Sequence, residues 1–273
     1  MSRYYRSFLQ ESGAVYTSRT TAFATATGIT DTTILNALST FDAGLISNGL
    51  DTKMKALYPF VGGTSATHIY NFMDSRNLDI AFRLQFNGGW THNSTGSKPN
   101  GSNAYANTYL SPFTNLLVGS RHLSMYASDN SQANQFSIDI GSYDSGGSKS
   151  TMLSIKRTID NVVGQLNNWG NQSLTSVNNS TGFLLINRAS VTSSKAFKNN
   201  TLIASTINDI TGQVMPNFNL YLGTSNDNGT ASGSVPSSRG FSFSSIGIGL
   251  SDAEASTFYN LVQALQTSLS RNL

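Results

Sequence analysis

The sequence predicts an all-β protein, an antiparallel sandwich or barrel led in by helices and closed by one C-terminal helix. Three observations carry that prediction. From about residue 66 to residue 249, short apolar runs of period two recur between turns rich in Ser, Asn and Gly. From Asp252 onward the period changes to about 3.6. The composition suits a packed core under a neutral polar surface: of 273 residues, 38% are hydrophobic and 10% aromatic, but only 11% are charged, less than half the usual ~25%.

Residues 1–25 read as a polar opening in which Arg3, Tyr4, Tyr5, Arg6 and Phe8 alternate bases with aromatics, a composition that can anchor a segment in a groove on another protein. Residues 26–60 read as a helical lead-in. Ile34, Leu38, Phe41 and Leu45 share one helical stripe, Thr30 or Asp31 can cap it, and Asn48-Gly49 can end it. "LDTKMKALYP" then adds further turns until Pro59 stops them. Residues 61–273 make up the sandwich, closed by a helix over 251–271. In "DIAFRLQF", Ile80, Phe82, Leu84 and Phe86 alternate with polar partners, which predicts a half-buried strand ending at Gly88-Gly89. The same pattern returns in "HLSMYAS" (Leu123, Met125), "QFSIDIGSY" (Phe136, Ile138, Ile140), "STMLSIKR", "GFLLINRAS" and "NFNLYLG" (Phe218, Leu220, Leu222). "SKAFKNNTLIAST" reads as two strands joined at Asn199-Asn200. In "FSFSSIGIG" the apolar residues move from odd to even positions, which predicts a bulge at Ser244-Ser245. Ser251 and Glu254 form a capping box, Asp252 sits in the first turn, and Phe258, Leu261, Leu265 and Leu269 form the stripe to be buried, with Arg271 near the negative helix end.

Chemistry is scarce. The net charge is +3, and no Lys/Arg cluster exceeds Lys156-Arg157, so a footprint for nucleic acid is missing. Cysteine is absent, which removes disulfides and thiolate metal sites. "MSRYYRSFLQES" has no apolar signal-peptide core, and no run approaches the ~18 apolar residues of a membrane helix, so synthesis in a cytoplasm without membrane insertion is expected. A retaining glycosidase needs two neighbouring carboxylates. The glutamates are Glu11 and Glu254 alone, and Asp139 and Asp144 have odd spacing, on opposite strand faces. The elbow G-x-S-x-G is absent, and His68, His92 and His122 have no acidic sequence neighbour. "GSYDSGGSKS" misses the phosphate-loop spacing, since Gly146 is followed by Gly147 and Ser148 before Lys149. No enzyme activity, cofactor or metal site is expected.

The remaining candidate is "NGGWTHNSTGSKPNGSNAYANTY". Trp90 beside His92 and Asn93, with Tyr105 and Tyr109 following, can present an aromatic face and amides to a sugar. The competing reading is that Trp90 plugs the core edge, since large aromatics are usually buried. Trp169 in "GQLNNWGNQS" raises the same pair of readings.

Two stretches also carry a family resemblance. "SKAFKNNTLIAST" resembles the hairpin of laminin-G-like, concanavalin A-type jelly rolls, and "SIGIGLSDAEASTFYNLVQALQTSL" resembles the end of that domain, where a strand carrying "IG" runs through "LSDAE" into a helix on the sandwich. Over residues 28–273, and above all in "LDIAFRLQFNGGWTHNSTG…PNGSNAYANT", the chain is similar to phage virion structural proteins such as fibres, spikes, tail and head-decoration proteins. The resemblance implies a concanavalin A-like jelly-roll sandwich with N-terminal helices and a C-terminal packing helix. It further implies a non-enzymatic protein on the virion surface, attached to other virion proteins through its N-terminus and acting in host attachment, with a host-surface glycan as ligand. A homo-oligomer is expected, a trimer by analogy with fibres and spikes. A free lectin, and behind it a polysaccharide depolymerase, are the alternatives.

Overall fold

A computed structural model describes residues 15–146, 149–155, 162–168, 172–174 and 177–273. Two β-sheets and a helical layer are stacked on one another, and the sandwich is of the jelly-roll class. The first sheet runs in the order Thr201–Thr206, Ser193–Lys198, Gly182–Ser190, Arg121–Ala127, Phe241–Gly247, Gly96–Pro99, Trp90–Asn93, with Met54–Tyr58 also pairing on Phe241–Gly247. The second runs Gln172–Leu174, Val162–Asn168, Lys149–Leu153, Ile140–Asp144, Tyr221–Leu222, Tyr105–Asn107, Gln85–Asn87, with a small hairpin of Ser225–Asp227 and Thr230–Ala231 beside Ile140–Asp144.

Alternation along each strand sorts side chains between two cores. Leu123, Met125, Leu184, Ile186 and Ile246 of the first sheet meet Ala106, Ile140, Leu153 and Leu222 of the second. On the other face of the first sheet, Tyr126, Phe183, Leu185 and Phe243 are covered by helices. Those helices are α1 (Ser18–Thr27), α2 (Thr32–Ser47) and, after the one-turn helices α3 (Ser65–His68) and α4 (Pro112–Asn115), α5 (Asp252–Ser268). Double coverage explains why Arg121–Ala127 is buried at every residue, as a strand with two dry faces must be.

Asp31 caps α2 through the Thr33 and Ile34 N–H groups, and Leu38, Phe41 and Leu45 of the expected stripe are buried. The α5 capping box forms in full, and Glu254 also pairs with Lys53 at 2.5 Å. Phe258 and Leu265 are buried, while Leu261 and Leu269 of the same stripe are half-buried. The hairpin at Asn199 and Asn200 forms with φ of 44° and 66°, the left-handed values Asn tolerates.

Other expectations are corrected. Residues 18–25, read as part of the polar opening, belong to α1 (Ser18–Thr27), whose Phe23 and Ala24 are buried against the helical core. "LDTKMKALYP" is a 3-10 turn, Asp51–Lys53, followed by the strand Met54–Tyr58, because pairing with Phe241–Gly247 outweighs local helix propensity. "DIAFRLQF" is mostly connector: Asp79–Ala81 is a 3-10 turn, Phe82 has φ 58°, Ile80 is 75% exposed, and only Gln85–Asn87 is strand. The segment is held by tertiary bonds, from the Asn71 side-chain amide to Ala81 O and from the Tyr58 hydroxyl to Phe82 O. "QFSIDIGSY" and "NFNLYLG" yield the shorter strands Ile140–Asp144 and Tyr221–Leu222. The bulge lies between Phe241 and Phe243, not at Ser244-Ser245, so Phe241 enters the inter-sheet core while Phe243 faces the helices.

Candidate functional site

Helices cover the outer face of the first sheet; the outer face of the second is closed at its centre, where Tyr221 is 8% and Met152 5% exposed, and opens toward the edge strands, where Asn87, Tyr105 and Asn107 are half-buried and Gln85 is exposed. Register identifies its residues. Phe86 pairs with Ala106, and Leu222 with Ala106 and Ile140, all toward the core, so the alternate residues Gln85, Asn87, Tyr105, Asn107 and Tyr221 point outward. Tyr105 stacks on Tyr221 with ring centroids 4.8 Å apart and planes 22° from parallel. Tyr109, at φ 56°, donates its backbone N–H to Asn107 Oδ1 at 2.9 Å and its hydroxyl to Gln85 Oε1 at 2.6 Å. The Arg83 guanidinium lies 5.5 Å from the Tyr109 ring centroid and is held by Asp79 at 2.8 Å.

Burial, reinforced by the nearby Tyr105 and Tyr109, raises the Tyr221 pKa, so its hydroxyl remains a neutral donor. Beyond Tyr221, the Ser225–Asp227 strand closes over Gly141: a Cβ built there would stand 3.1 Å from Ser225. The outward positions of Gln85–Asn87, Tyr105–Asn107 and Tyr221–Leu222 offer phenols and amides, while Asp227, paired with Tyr143, adds a carboxylate further along the same side that accepts from the Ser225 hydroxyl at 2.6 Å. Phenols and amides so placed can stack on and hydrogen-bond to a polyhydroxylated ligand.

Of the residues singled out in the sequence, Tyr105 stands on this face. Trp90 is half-buried instead, packed with Phe86 at 5.1 Å, Phe241 at 6.1 Å and His92 at 6.4 Å, and its indole N–H donates to Asn87 O at 3.1 Å. His92 faces His68 with Nδ1 atoms 3.0 Å apart. Burial, then His92, then Arg271 push the His68 pKa down to about 3, and burial lowers that of His92, so both imidazoles are neutral at pH 7. Asn93 caps the hairpin tip through Thr95. Trp169 lies outside the described residues, as do Arg3, Tyr4, Tyr5, Arg6 and Phe8.

One arrangement mimics catalytic machinery. His122 Nε2 lies 3.0 Å from Ser245 Oγ, and Nδ1 lies 2.7 Å from Ile248 O, which assigns the proton to Nδ1. Both residues are fully buried, with Phe258 of α5 5.9 Å from the imidazole, and the third partner is a carbonyl and not a carboxylate. No substrate reaches this pair. Asp139 and Asp144 are likewise occupied, by Arg239 at 2.8 Å and Lys149 at 3.0 Å. Among the described residues no three His, Asp or Glu side chains are grouped to hold a metal, and no helix is long and apolar enough to cross a membrane.

No known sequence family matches the chain, and no curated protein does. Solved structures are similar in fold. Domain 4 of AbnA, a GH43 extracellular arabinanase from Geobacillus stearothermophilus, in complex with arabinotriose, aligns over 76% of this chain and 98% of its own at 15% identity, TM-score 0.48. The Ruminococcus gnavus IT-sialidase CBM40 aligns over 50% of this chain and 80% of its own at 17% identity, TM-score 0.35. The binding domain of botulinum neurotoxin DC, in complex with rat synaptotagmin II, aligns over 78% of this chain and 52% of its own at 12% identity, TM-score 0.48. At this distance the likeness concerns the sandwich alone and assigns no residue or ligand to this chain. The phenol and amide face was only partly visible in the sequence, because Gln85, Asn107 and Tyr221 belong to three separated strands whose pairing brings them together.

Proposed function

We propose that this chain is a non-enzymatic carbohydrate-binding module that recognises neutral sugar units on the outer face of its second sheet. The observation that carries this reading is the Tyr105–Tyr221 stack framed by Gln85, Asn87 and Asn107, with no carboxylate at the outward positions of the three strands that hold them. The exposed part of Tyr105 supplies the stacking surface, and the amides supply donors and acceptors for ring hydroxyls. Within this proposal the module is a virion surface component, a fibre, spike or decoration protein held through residues 1–14 to other virion proteins, in a homo-oligomer that brings several sugar sites to a host envelope. Multiplicity suits weak single sites, since linked copies gain avidity without new contacts.

The test is a glycan array followed by calorimetry on wild type and Tyr105→Ala. A glycan bound by wild type and about tenfold more weakly by Tyr105→Ala, a loss of ~1.4 kcal/mol, supports the reading. Binding that survives the substitution unchanged, or release of reducing ends from the glycan, overturns it.

A further inference from the structure

A second concave site lies away from the tyrosine face. A cleft of about 340 Å³ opens between the hairpin of Trp90–Asn93 and Gly96–Pro99, the Ser128-Asp129 turn and the residues after α5. That volume falls within the ~300–1,000 Å³ of small-molecule sites. Two buried polar atoms on its lining residues lack a hydrogen-bond partner, Ser97 Oγ and Arg271 Nε, on residues only 1% and 6% exposed. Native proteins rarely leave such atoms unpaired, because each costs about 1–3 kcal/mol.

The charges of the cleft narrow the ligand. Lys98 is already paired with Asp129 at 2.8 Å and bonded to Ser131 at 3.0 Å. Arg271 is different. Its two terminal nitrogens donate to Phe60 O at 2.9 Å and Pro59 O at 3.1 Å, both neutral acceptors, and no carboxylate among the described residues pairs with it. Burial lowers its pKa to about 10, which still leaves it cationic at neutral pH. A buried cation held only by carbonyls, with its Nε–H unpaired and its residue lining a cleft, is completed by an anion. The Ser97 hydroxyl and the Asn93 amide, on residues of the same lining, fit an anion that also carries hydroxyls.

We propose that this cleft binds the carboxylate-bearing unit of an acidic sugar, with Arg271 Nε donating to the carboxylate and Ser97 pairing with a ring hydroxyl. The site is independent of Tyr105, so it stands or falls separately from the neutral-sugar face.

The experiment titrates the full chain with D-glucuronate, D-glucose and acetate, following heat and the Arg271 Nε–H resonance. Glucuronate is expected to shift that resonance and to bind about tenfold more tightly than glucose or acetate, as a charge-assisted hydrogen bond warrants. Ser97→Ala should weaken glucuronate about fivefold with an unchanged Tm, since a single hydroxyl contact is worth about 1 kcal/mol, and Tyr105→Ala should leave it unchanged. An unmoved Arg271 resonance, acetate binding as tightly as glucuronate, or indifference to Ser97→Ala overturns the proposal. None of these readings needs an Arg271 variant, whose loss of the Phe60 and Pro59 bonds could unfold the chain end.

Discussion

Asp139 and Arg239 are both fully buried and joined by two hydrogen bonds, Nε to Oδ1 at 2.8 Å and Nη2 to Oδ2 at 2.9 Å. The Ser237 hydroxyl and the Ile155 N–H donate to the same carboxylate, so its oxygens are fully engaged and its role is structural. The buried histidines show burial acting through protonation instead. Burial pushes the His122 pKa down to about 4 and is the largest cause of the His68 value of about 3. Both folded values lie below the ~6.5 of an unfolded imidazole, so between them the unfolded chain binds more protons. Their contribution is fully present above pH ~6.5 and falls as pH drops through that window, by about 1.4 kcal/mol per pH unit for each histidine. Urea titrations should therefore give a lower midpoint at pH 5 than at pH 7.5, with a shallower pH dependence in His122→Asn. Equal midpoints at the two pH values would show that the imidazoles do not fold neutral.

Among the elements, α5 has the widest consequence. Its Phe258 sits 5.9 Å from Phe183 and 6.1 Å from Phe243, with Val262 and Leu265 beside it, covering the outer face of the first sheet. Each of these side chains contributes about 2 kcal/mol by leaving water, and their removal would uncover Phe183, Leu185 and Phe243 together. A chain ending before Ser251 is expected to aggregate and bind a hydrophobic dye, whereas a soluble truncated chain with a cooperative unfolding transition would contradict the packing role. This helix was legible in the sequence because its signals are local: a capping box at Ser251 and Glu254 and apolar residues three and four apart. The strand Met54–Tyr58 was not, because a five-residue run reads as strand only through its partner, Phe241–Gly247, far along the chain.

At the scale of the whole molecule, the helical layer covers the first sheet and the second is half-buried or exposed only toward its edge strands, and the virion proposal assigns attachment to the chain segment before residue 15. Deleting residues 1–12 should preserve the unfolding midpoint and abolish incorporation into particles, seen as lost density in cryo-EM reconstructions; unchanged incorporation would remove the anchoring role. The amino-acid sequence by itself determined what neighbours in the chain can decide: the all-β class from its period-two runs, α2 and α5 from their caps and stripes, the Asn199-Asn200 hairpin from residues tolerant of positive φ, and the scarcity of charged residues from composition. Tertiary structure alone decided which strands lie side by side, that the helices cover the first sheet, that Trp90 joins the core edge while Tyr105 meets Tyr221, and that Arg271 and Ser97 line one cleft. The physical reason is the range of the forces involved. Caps and periodicity act over a few residues, whereas strand pairing and burial join residues more than a hundred positions apart, and their register determines which side of a strand faces water.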